Sequence, residues 1–209
     1  LHVRSRRQRQ MCIRDSWREV LIAIGAKVVE TSTFFLYATF TISYMMDHGF
    51  ARSTILNIVL VCALIAFPAM LFFGHLSDRI GRKKVFIGGS VAFLVWIFPY
   101  FWLLDQKSVW AAGLAIAVGF GVIWASYGAM IGTLLAEAFP PAIRYTGMSL
   151  GYQIGAALVG GPMPLIATAL IAYFSGSFVP VVLFLAACAV VSIISVAVAR
   201  DRSGQPLDD

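Results

Sequence analysis

Charged residues are scarce in this sequence of 209 residues, where Asp, Glu, Lys and Arg together make up only 12%. Soluble domains carry roughly 25% of charged residues. Hydrophobic residues make up 60% of the chain, which is more apolar surface than one domain of this size can hide from water. The scarcity of charge therefore excludes an ordinary soluble domain and predicts a protein whose solvent is the lipid bilayer.

Cysteine is also rare, with only Cys12, Cys62 and Cys188 in the whole chain. Their spacing matches neither a paired disulfide framework nor a zinc-binding motif. We therefore interpret them as small hydrophobic residues. The sequence predicts no structural disulfide, no bound metal and no cofactor.

Motifs of common enzyme classes are missing as well. The three histidines are widely separated, and there is no H-E-x-x-H, no G-x-S-x-G and no phosphate-binding loop. A membrane-embedded enzyme would need catalytic groups clustered at one depth, and a channel subunit would need a ring of polar residues around a pore. Neither pattern is visible, so we do not expect an enzyme, and both classes stay as alternatives only.

Positive charge is concentrated in two kinds of segment. Residues 1–16 contain five arginines and few apolar side chains. We interpret them as a basic cytoplasmic tail or, in preference, as a non-native or disordered leader, and exclude them from the fold. The other basic residues lie mostly between apolar runs, so the net charge of +6 does not indicate a nucleic-acid partner.

Six apolar runs follow the leader, and each reaches the length of about 20 residues that a bilayer-spanning helix needs. They predict an all-α membrane protein, a six-helix transmembrane bundle within residues 17–201, and a polar cytoplasmic tail at 202–209. The predicted helices cover residues 19–46, 53–73, 85–104, 109–136, 146–172 and 178–199.

The basic residues between these runs predict the orientation of the bundle, because cytoplasmic connections carry an excess of lysine and arginine. With residues 74–84 inside, the outer side holds only Arg52 and Lys107. Both chain termini are then cytoplasmic. The inner side holds Arg18, Arg79, Arg82, Lys83, Lys84, Arg144, Arg200 and Arg202.

The densest charge cluster after the leader is residues 74–84, Gly-His-Leu-Ser-Asp-Arg-Ile-Gly-Arg-Lys-Lys, which we name the signature segment. It is predicted to be a tight loop, with glycines that allow a sharp turn and close backbone approach. It resembles the G-x-L-x-D-R-x-G-R-K motif of the major facilitator superfamily of secondary transporters. The resemblance implies a cytoplasmic gate, although a positive loop that only fixes topology is the simpler alternative. The matching residues are Gly74, Leu76, Asp78, Arg79, Gly81, Arg82 and Lys83.

A second motif narrows the resemblance. It runs from Glu137 through Arg144 to Gly147, continues with the segment from Ser149 to Gln153, and ends with Gly-Gly-Pro-Met-Pro at 160–164. This pattern is similar to the metabolite:proton symporter family, which includes shikimate, α-ketoglutarate, citrate and proline/betaine carriers. In that family Glu137 and Arg144 would form an acidic–basic pair that networks with the signature segment, the alternative being a solvated pair.

The resemblance covers about residues 17–201 and implies the C-terminal half of a twelve-helix major facilitator fold. We therefore expect a fragment of a proton-coupled symporter for a small organic acid or zwitterion, in the cytoplasmic (inner) membrane of a bacterium. Its partners would be the substrate, protons, the lipid bilayer and a missing N-terminal six-helix half. The chain alone is not expected to transport.

Lys27 and Glu30 are charges inside the first apolar run, where ionisable residues are costly and usually functional. At a spacing of i, i+3 they share one helix face and can neutralise each other. The same face continues through Thr31, Tyr37, Thr41 and Tyr44, and we expect this polar stripe to line a cavity. The alternative is a structural pair near the interface, with the Lys27 side chain reaching towards water.

The fourth and fifth runs offer further candidate substrate contacts in Trp124, Tyr127, Tyr152 and Gln153, and of the last two we prefer Gln153 because it lies nearer the middle of its helix. Together with Tyr37 they could line a pocket for a small polar metabolite, although packing is the common role of aromatic residues in membrane helices. Small residues repeat every four positions at Gly147, Gly151 and Gly155, and again at Gly128 and Gly132. They predict close helix packing.

Overall fold

The computed structural model describes residues 17–139 and 143–199, and the predicted leader and polar tail lie outside these ranges. The described residues form long helices without any strand, which confirms the predicted all-α bundle of six helices. We number them α1 (Trp17–Asp47), α2 (Arg52–Ile80), α3 (Arg82–Asp105), α4 (Val109–Ala138), α5 (Arg144–Tyr173) and α6 (Val179–Val198).

The outer surface of the bundle is strongly apolar. On α2, Leu60, Leu64, Phe67 and Leu71 follow one another along one helix face and are each 60–69% exposed. Proteins in water rarely expose an apolar surface of this extent. All six helices are long and apolar enough to cross a bilayer, so the chain is a multi-pass membrane protein.

Helix α1 lies at the centre of the bundle and is the most buried of the six. On one side, the Ser192 hydroxyl of α6 donates to the Gly25 carbonyl at 2.6 Å and accepts from the Val29 amide at 2.9 Å. On another side, the Thr41 hydroxyl shares a hydrogen bond with Tyr100 of α3 at 2.5 Å. Buried hydroxyl groups therefore tie α1 to α6 and to α3.

Glycines of α5 form a close seam against α1. A Cβ atom at Gly155 would lie 2.8 Å from Lys27 Cβ and 2.9 Å from the Ile24 carbonyl oxygen, and one at Gly151 would overlap Ala23. This confirms the close packing that the small-residue spacing predicts for α5.

The same prediction is wrong for Gly128 and Gly132 of α4. The atoms nearest to a Cβ at Gly128 belong to the Trp124 ring of its own helix at an ordinary contact distance of 3.5 Å, and a Cβ at Gly132 would have no described atom within 4 Å. Small residues permit a close approach, but the approach also requires a neighbouring helix at that place.

Helices α1, α4 and α5 each contain a π-helical segment, at Leu36–Phe40, Ala117–Trp124 and Ala156–Gly160. A π-helical turn holds more residues than an α-helical turn and rotates the side chains that follow it. One segment lies in α1, which carries the Lys27–Glu30 pair, and the other two lie in α4 and α5, which contact α1 near this pair.

The glycine seam leads to a prediction about stability. We expect Gly155→Ala to lower the free energy of unfolding by roughly 1–3 kcal/mol, because the new methyl group meets the rigid Ile24 carbonyl. The matched control is Gly132→Ala, which enters open space and should leave the stability unchanged or raise it. Unfolding in detergent followed by circular dichroism measures both. Equal stability of the two variants would contradict the seam.

Candidate functional site

The centre of the candidate site is an ion pair on α1. Lys27 Nζ binds Glu30 Oε2, and Lys27 is only 3% exposed. The Thr31 hydroxyl donates a further hydrogen bond to the same carboxylate at 3.1 Å. The structure thus confirms that the i, i+3 spacing lets the two charges neutralise each other, which buried charges require.

Tyr152 of α5 covers this ion pair. Lys27 Nζ lies 3.5 Å from the centroid of the Tyr152 ring. This distance allows a cation–π interaction, whose attraction strengthens as water is excluded. Tyr152 itself is 36% exposed, so its ring stands between the buried pair and the surface. The seam glycines Gly151 and Gly155 bring α5 close enough for this contact.

Trp124 of α4 contacts the backbone of the pair residue Glu30. Its Nε1 donates to the Glu30 carbonyl oxygen at 3.1 Å, and its ring lies 5.1 Å from the Phe120 ring and 5.6 Å from the Phe34 ring, centroid to centroid. The structure therefore places the predicted residue Trp124 beside Glu30. Phe34 is partly exposed, so this aromatic cluster reaches the surface of α1.

Tyr37 and Tyr127 do not line an open cavity, contrary to the prediction. Both are fully buried. The Tyr127 hydroxyl donates to Thr33 Oγ1 at 2.9 Å. The Tyr37 ring packs against the Tyr100 ring at 5.3 Å, and its hydroxyl has no hydrogen-bond partner among the described residues.

The whole predicted polar stripe is turned towards the interior of the bundle. Thr31, Tyr37, Thr41 and Tyr44 are all buried. Helix α3 supplies hydrogen-bond partners for Thr41 and Tyr44. Tyr37 is enclosed by aromatic rings of α3 and α4, and Thr31 lies against Gly160 of α5. The exposed residues of α1 beyond the ion pair are Phe34, Thr39, Ser43, Met46 and Asp47.

Gln153, the remaining predicted contact, is exposed on α5. Sequence reasoning considered both Tyr152 and Gln153 as substrate contacts and preferred Gln153 for its position near the middle of the helix. The signal that favours Tyr152 is its position directly after Gly151, because a residue next to a seam glycine lies at the edge of the contact with α1.

The signature segment is mostly helical rather than a loop, which corrects the prediction. Residues 74–80 continue α2, and the next helix begins at Arg82. Gly81 alone makes the turn, with φ of +99°, a conformation that glycine adopts at little cost. The predicted close backbone approach at Gly74 is absent, since no described atom lies within 4 Å of a Cβ placed there.

Arg82 joins three helices at this end of the bundle. Its guanidinium group binds Glu137 of α4 and lies 3.6 Å from the Asp78 carboxylate of α2. The expected network between Glu137 and the signature segment is therefore present. Among the described residues, the expected pair of Glu137 with Arg144 is not formed, and Arg144 Nε donates to the Phe139 carbonyl at 3.3 Å.

Lys83 ties the signature segment to the last helix. Its Nζ donates to the carbonyl oxygens of Ala197 and Ala199 at 2.6 and 3.0 Å. A cation is favourable at the C-terminal end of a helix, where carbonyl groups carry a partial negative charge. Arg79, in contrast, is exposed on α2.

A polar cluster at the opposite end of the bundle was missed by sequence reasoning. The Tyr44 hydroxyl donates to Asp105 at 2.5 Å, and His48 Nε2 lies 3.6 Å from the same carboxylate. These residues join α1 to α3. Asp105 and His48 lie at or beyond helix ends far apart in sequence, so no local spacing connects them.

The ion pair predicts a large penalty for removing one partner. Lys27→Met should lower the free energy of unfolding by about 3–5 kcal/mol, because it leaves the Glu30 carboxylate buried and unpaired. The double variant Lys27→Met/Glu30→Leu should recover much of this loss. Lys107→Met at an exposed position is the control. Unfolding in detergent measures the free energies of all these variants. A double variant as unstable as the single one would refute the pairing.

The contact between Arg82 and Glu137 predicts an energetic coupling. In a double-mutant cycle of Arg82→Gln and Glu137→Gln we expect a coupling free energy of about 0.5–1 kcal/mol, since both side chains are half-buried. Unfolding in detergent measures the four stabilities that the cycle needs. Arg79→Gln with Glu137→Gln is the matched cycle and should show none. Additive effects in the first cycle would show that the contact contributes nothing.

Comparison with known proteins places the chain in a family. The sequence profile of the Major Facilitator Superfamily matches residues 22–208. The chain is 28% identical over 180 residues to the shikimate transporter of Escherichia coli strain K12, covering 85% of this chain and 41% of that protein.

Two further relatives support the same placement. The chain is 28% identical over 200 residues to the proline/betaine transporter of Escherichia coli strain K12, which covers 91% of this chain and 38% of the relative. It is 29% identical over 155 residues to the ectoine/proline transporter ProP of Corynebacterium glutamicum, which covers 74% of this chain and 31% of that protein. The chain spans less than half the length of these relatives. It belongs to the major facilitator superfamily.

Proposed function

We propose that this chain forms the C-terminal half of a twelve-helix symporter, which moves a small organic acid or zwitterionic metabolite together with protons. Its relatives bear the names of shikimate and proline/betaine transporters. Six helices are half of a twelve-helix fold, and the chain matches 31–41% of the length of those relatives. An N-terminal six-helix half would supply the other wall of the transport path.

The observation that carries the proposal is the Lys27–Glu30 ion pair beneath Tyr152. Lys27 provides a cation that a substrate carboxylate can bind once the Tyr152 ring moves aside. A substrate carboxylate at Lys27 would compete with Glu30 for the same ammonium group. In this proposal the competition couples substrate binding to proton movement at Glu30.

Other residues have supporting roles in this proposal. Trp124 holds the Glu30 backbone, and exposed Gln153 lies next to Tyr152 on the surface that would face the substrate. Tyr37 and Tyr127 are enclosed, so we assign them to the packing behind the site.

At the signature end we propose a cytoplasmic latch. Asp78, Arg82 and Glu137 link three helices there and Lys83 links a fourth, while Arg79 and Arg144 add positive charge. Opening towards the cytoplasm would break some of these contacts and make others. The proposed orientation has both termini in the cytoplasm of a bacterium, as the distribution of lysine and arginine favours.

The alternatives of an enzyme and a channel subunit are less well supported. The chain belongs to the Major Facilitator Superfamily, and its relatives are named as transporters. The central charges are also paired and covered rather than arranged around a pore.

The test is uptake by the whole transporter, with this chain joined to its N-terminal half and reconstituted in liposomes. Shikimate, proline and glycine betaine are the first substrates to try. For the transported substrate, Glu30→Gln should reduce accumulation driven by a proton gradient at least about tenfold (roughly 1.4 kcal/mol), while exchange of substrate across the membrane continues without a gradient.

Asp47→Asn is the matched control, because Asp47 is an exposed carboxylate at the C-terminal end of α1. This substitution should not affect coupling. Full gradient-driven accumulation by Glu30→Gln would refute the coupling role. Failure of every substrate in the panel would refute the proposed substrate class.

A further inference from the structure

A narrow groove opens between α2 and α3 beside the Gly81 turn, with α4 as its floor. Its volume is about 280 Å³. The walls are almost entirely apolar and include Phe73, Leu76 and Ile80 of α2, Gly88 of α3 and Val122 of α4. Lys84 lies at the mouth. None of these residues belongs to the ion-pair site or to the Arg82 network.

The groove is open because Gly88 has no side chain. A Cβ placed at Gly88 would have no described atom within 4 Å, so the space beside α3 is not filled by a neighbouring helix. From Lys84 to Ala92, another lining residue, the helix rises about 12 Å. That length is most of the roughly 15 Å thickness of hydrocarbon in one leaflet.

The mouth of the groove carries positive charge without an acidic partner. In the described ranges Arg82 is paired with Asp78 and Glu137, whereas no carboxylate lies within 4.0 Å of Lys84 or Arg79. Both side chains are exposed. The first turn of α3 contains no acidic residue, and the N-terminal end of a helix is itself positive. This place therefore favours an anion.

We infer that the groove binds one anionic phospholipid. An acyl chain lies along Phe73, Leu76 and Ile80 and passes over Gly88, while the phosphate group binds Lys84. Basic pockets between transmembrane helices at the membrane surface recognise lipid headgroups of this kind. The apolar groove, which spans most of one leaflet, matches the acyl chain, and the Lys84 cation at its mouth matches the phosphate group.

Other occupants fit less well. A transmembrane helix is about 10–12 Å in diameter with its side chains, so a 12 Å length of it occupies roughly 1,000 Å³, several times the groove volume of about 280 Å³. A small polar metabolite would find almost no hydrogen-bonding group on these walls. A hydrocarbon chain needs neither width nor polar partners.

Native mass spectrometry of the full chain in detergent tests the inference, with phosphatidylglycerol and phosphatidylcholine as probes. We expect one phosphatidylglycerol to bind at least about tenfold more tightly than phosphatidylcholine. Lys84→Gln should lower its affinity severalfold. Gly88→Leu should also lower it, because the new side chain fills the groove while leucine remains a good helix former.

Two matched controls separate the site from general effects. Lys107→Gln removes a lysine at the other end of α3 and Gly132→Leu fills open space on α4, so both should retain lipid. Equal binding of the two lipids would overturn the inference. So would unchanged binding by Gly88→Leu in a folded chain, since the lipid would then touch only the surface charge. Dimers that displace the lipid would identify a second copy as the occupant and equally overturn it.

Discussion

The Lys27–Glu30 ion pair is the constraint on which the arrangement of this bundle depends. Two charges at membrane depth are tolerated only when they meet each other and are shielded from lipid. The chain satisfies this by placing α1 at the centre, with α5 closing over Lys27 through the glycine seam and Trp124 of α4 bonded to the Glu30 backbone. The ring of Tyr152 completes the cover, so the site is closed by a single exposed side chain rather than by a whole helix.

Charged contacts away from this pair lie at the two ends of the bundle. Arg82 and Lys83 connect α3 to α2, α4 and α6 at the signature end, and Asp105 connects α3 to α1 at the other. Between these ends the described helices are joined by apolar contacts, small residues and neutral hydrogen bonds from serine, threonine and tyrosine hydroxyls. The charges at the two ends are thus separated by an otherwise uncharged interior whose one charged site among the described residues is the Lys27–Glu30 pair.

Much of this fold could be predicted from sequence because the bilayer restricts it so strongly. Hydropathy and length predict six helices, the i, i+3 spacing predicts the ion pair, and Gly151 and Gly155 predict the seam. The direction of the polar stripe could not be predicted, because hydroxyl groups accept a partner such as Tyr100 as readily as water. The partner of Glu137 was equally hidden: Arg144 is nearer in sequence, but the turn at Gly81 brings Arg82 to it.

The ion pair between Lys27 and Glu30 requires an anionic carboxylate inside the bundle. The infrared difference spectrum between the chain and its Glu30→Gln variant in lipid bilayers at neutral pH tests this requirement. We expect the variant to lose the bands of an ionised carboxylate that is shielded from water. Loss of the carbonyl band of a protonated carboxylic acid would contradict it, because Lys27 would then have no anionic partner.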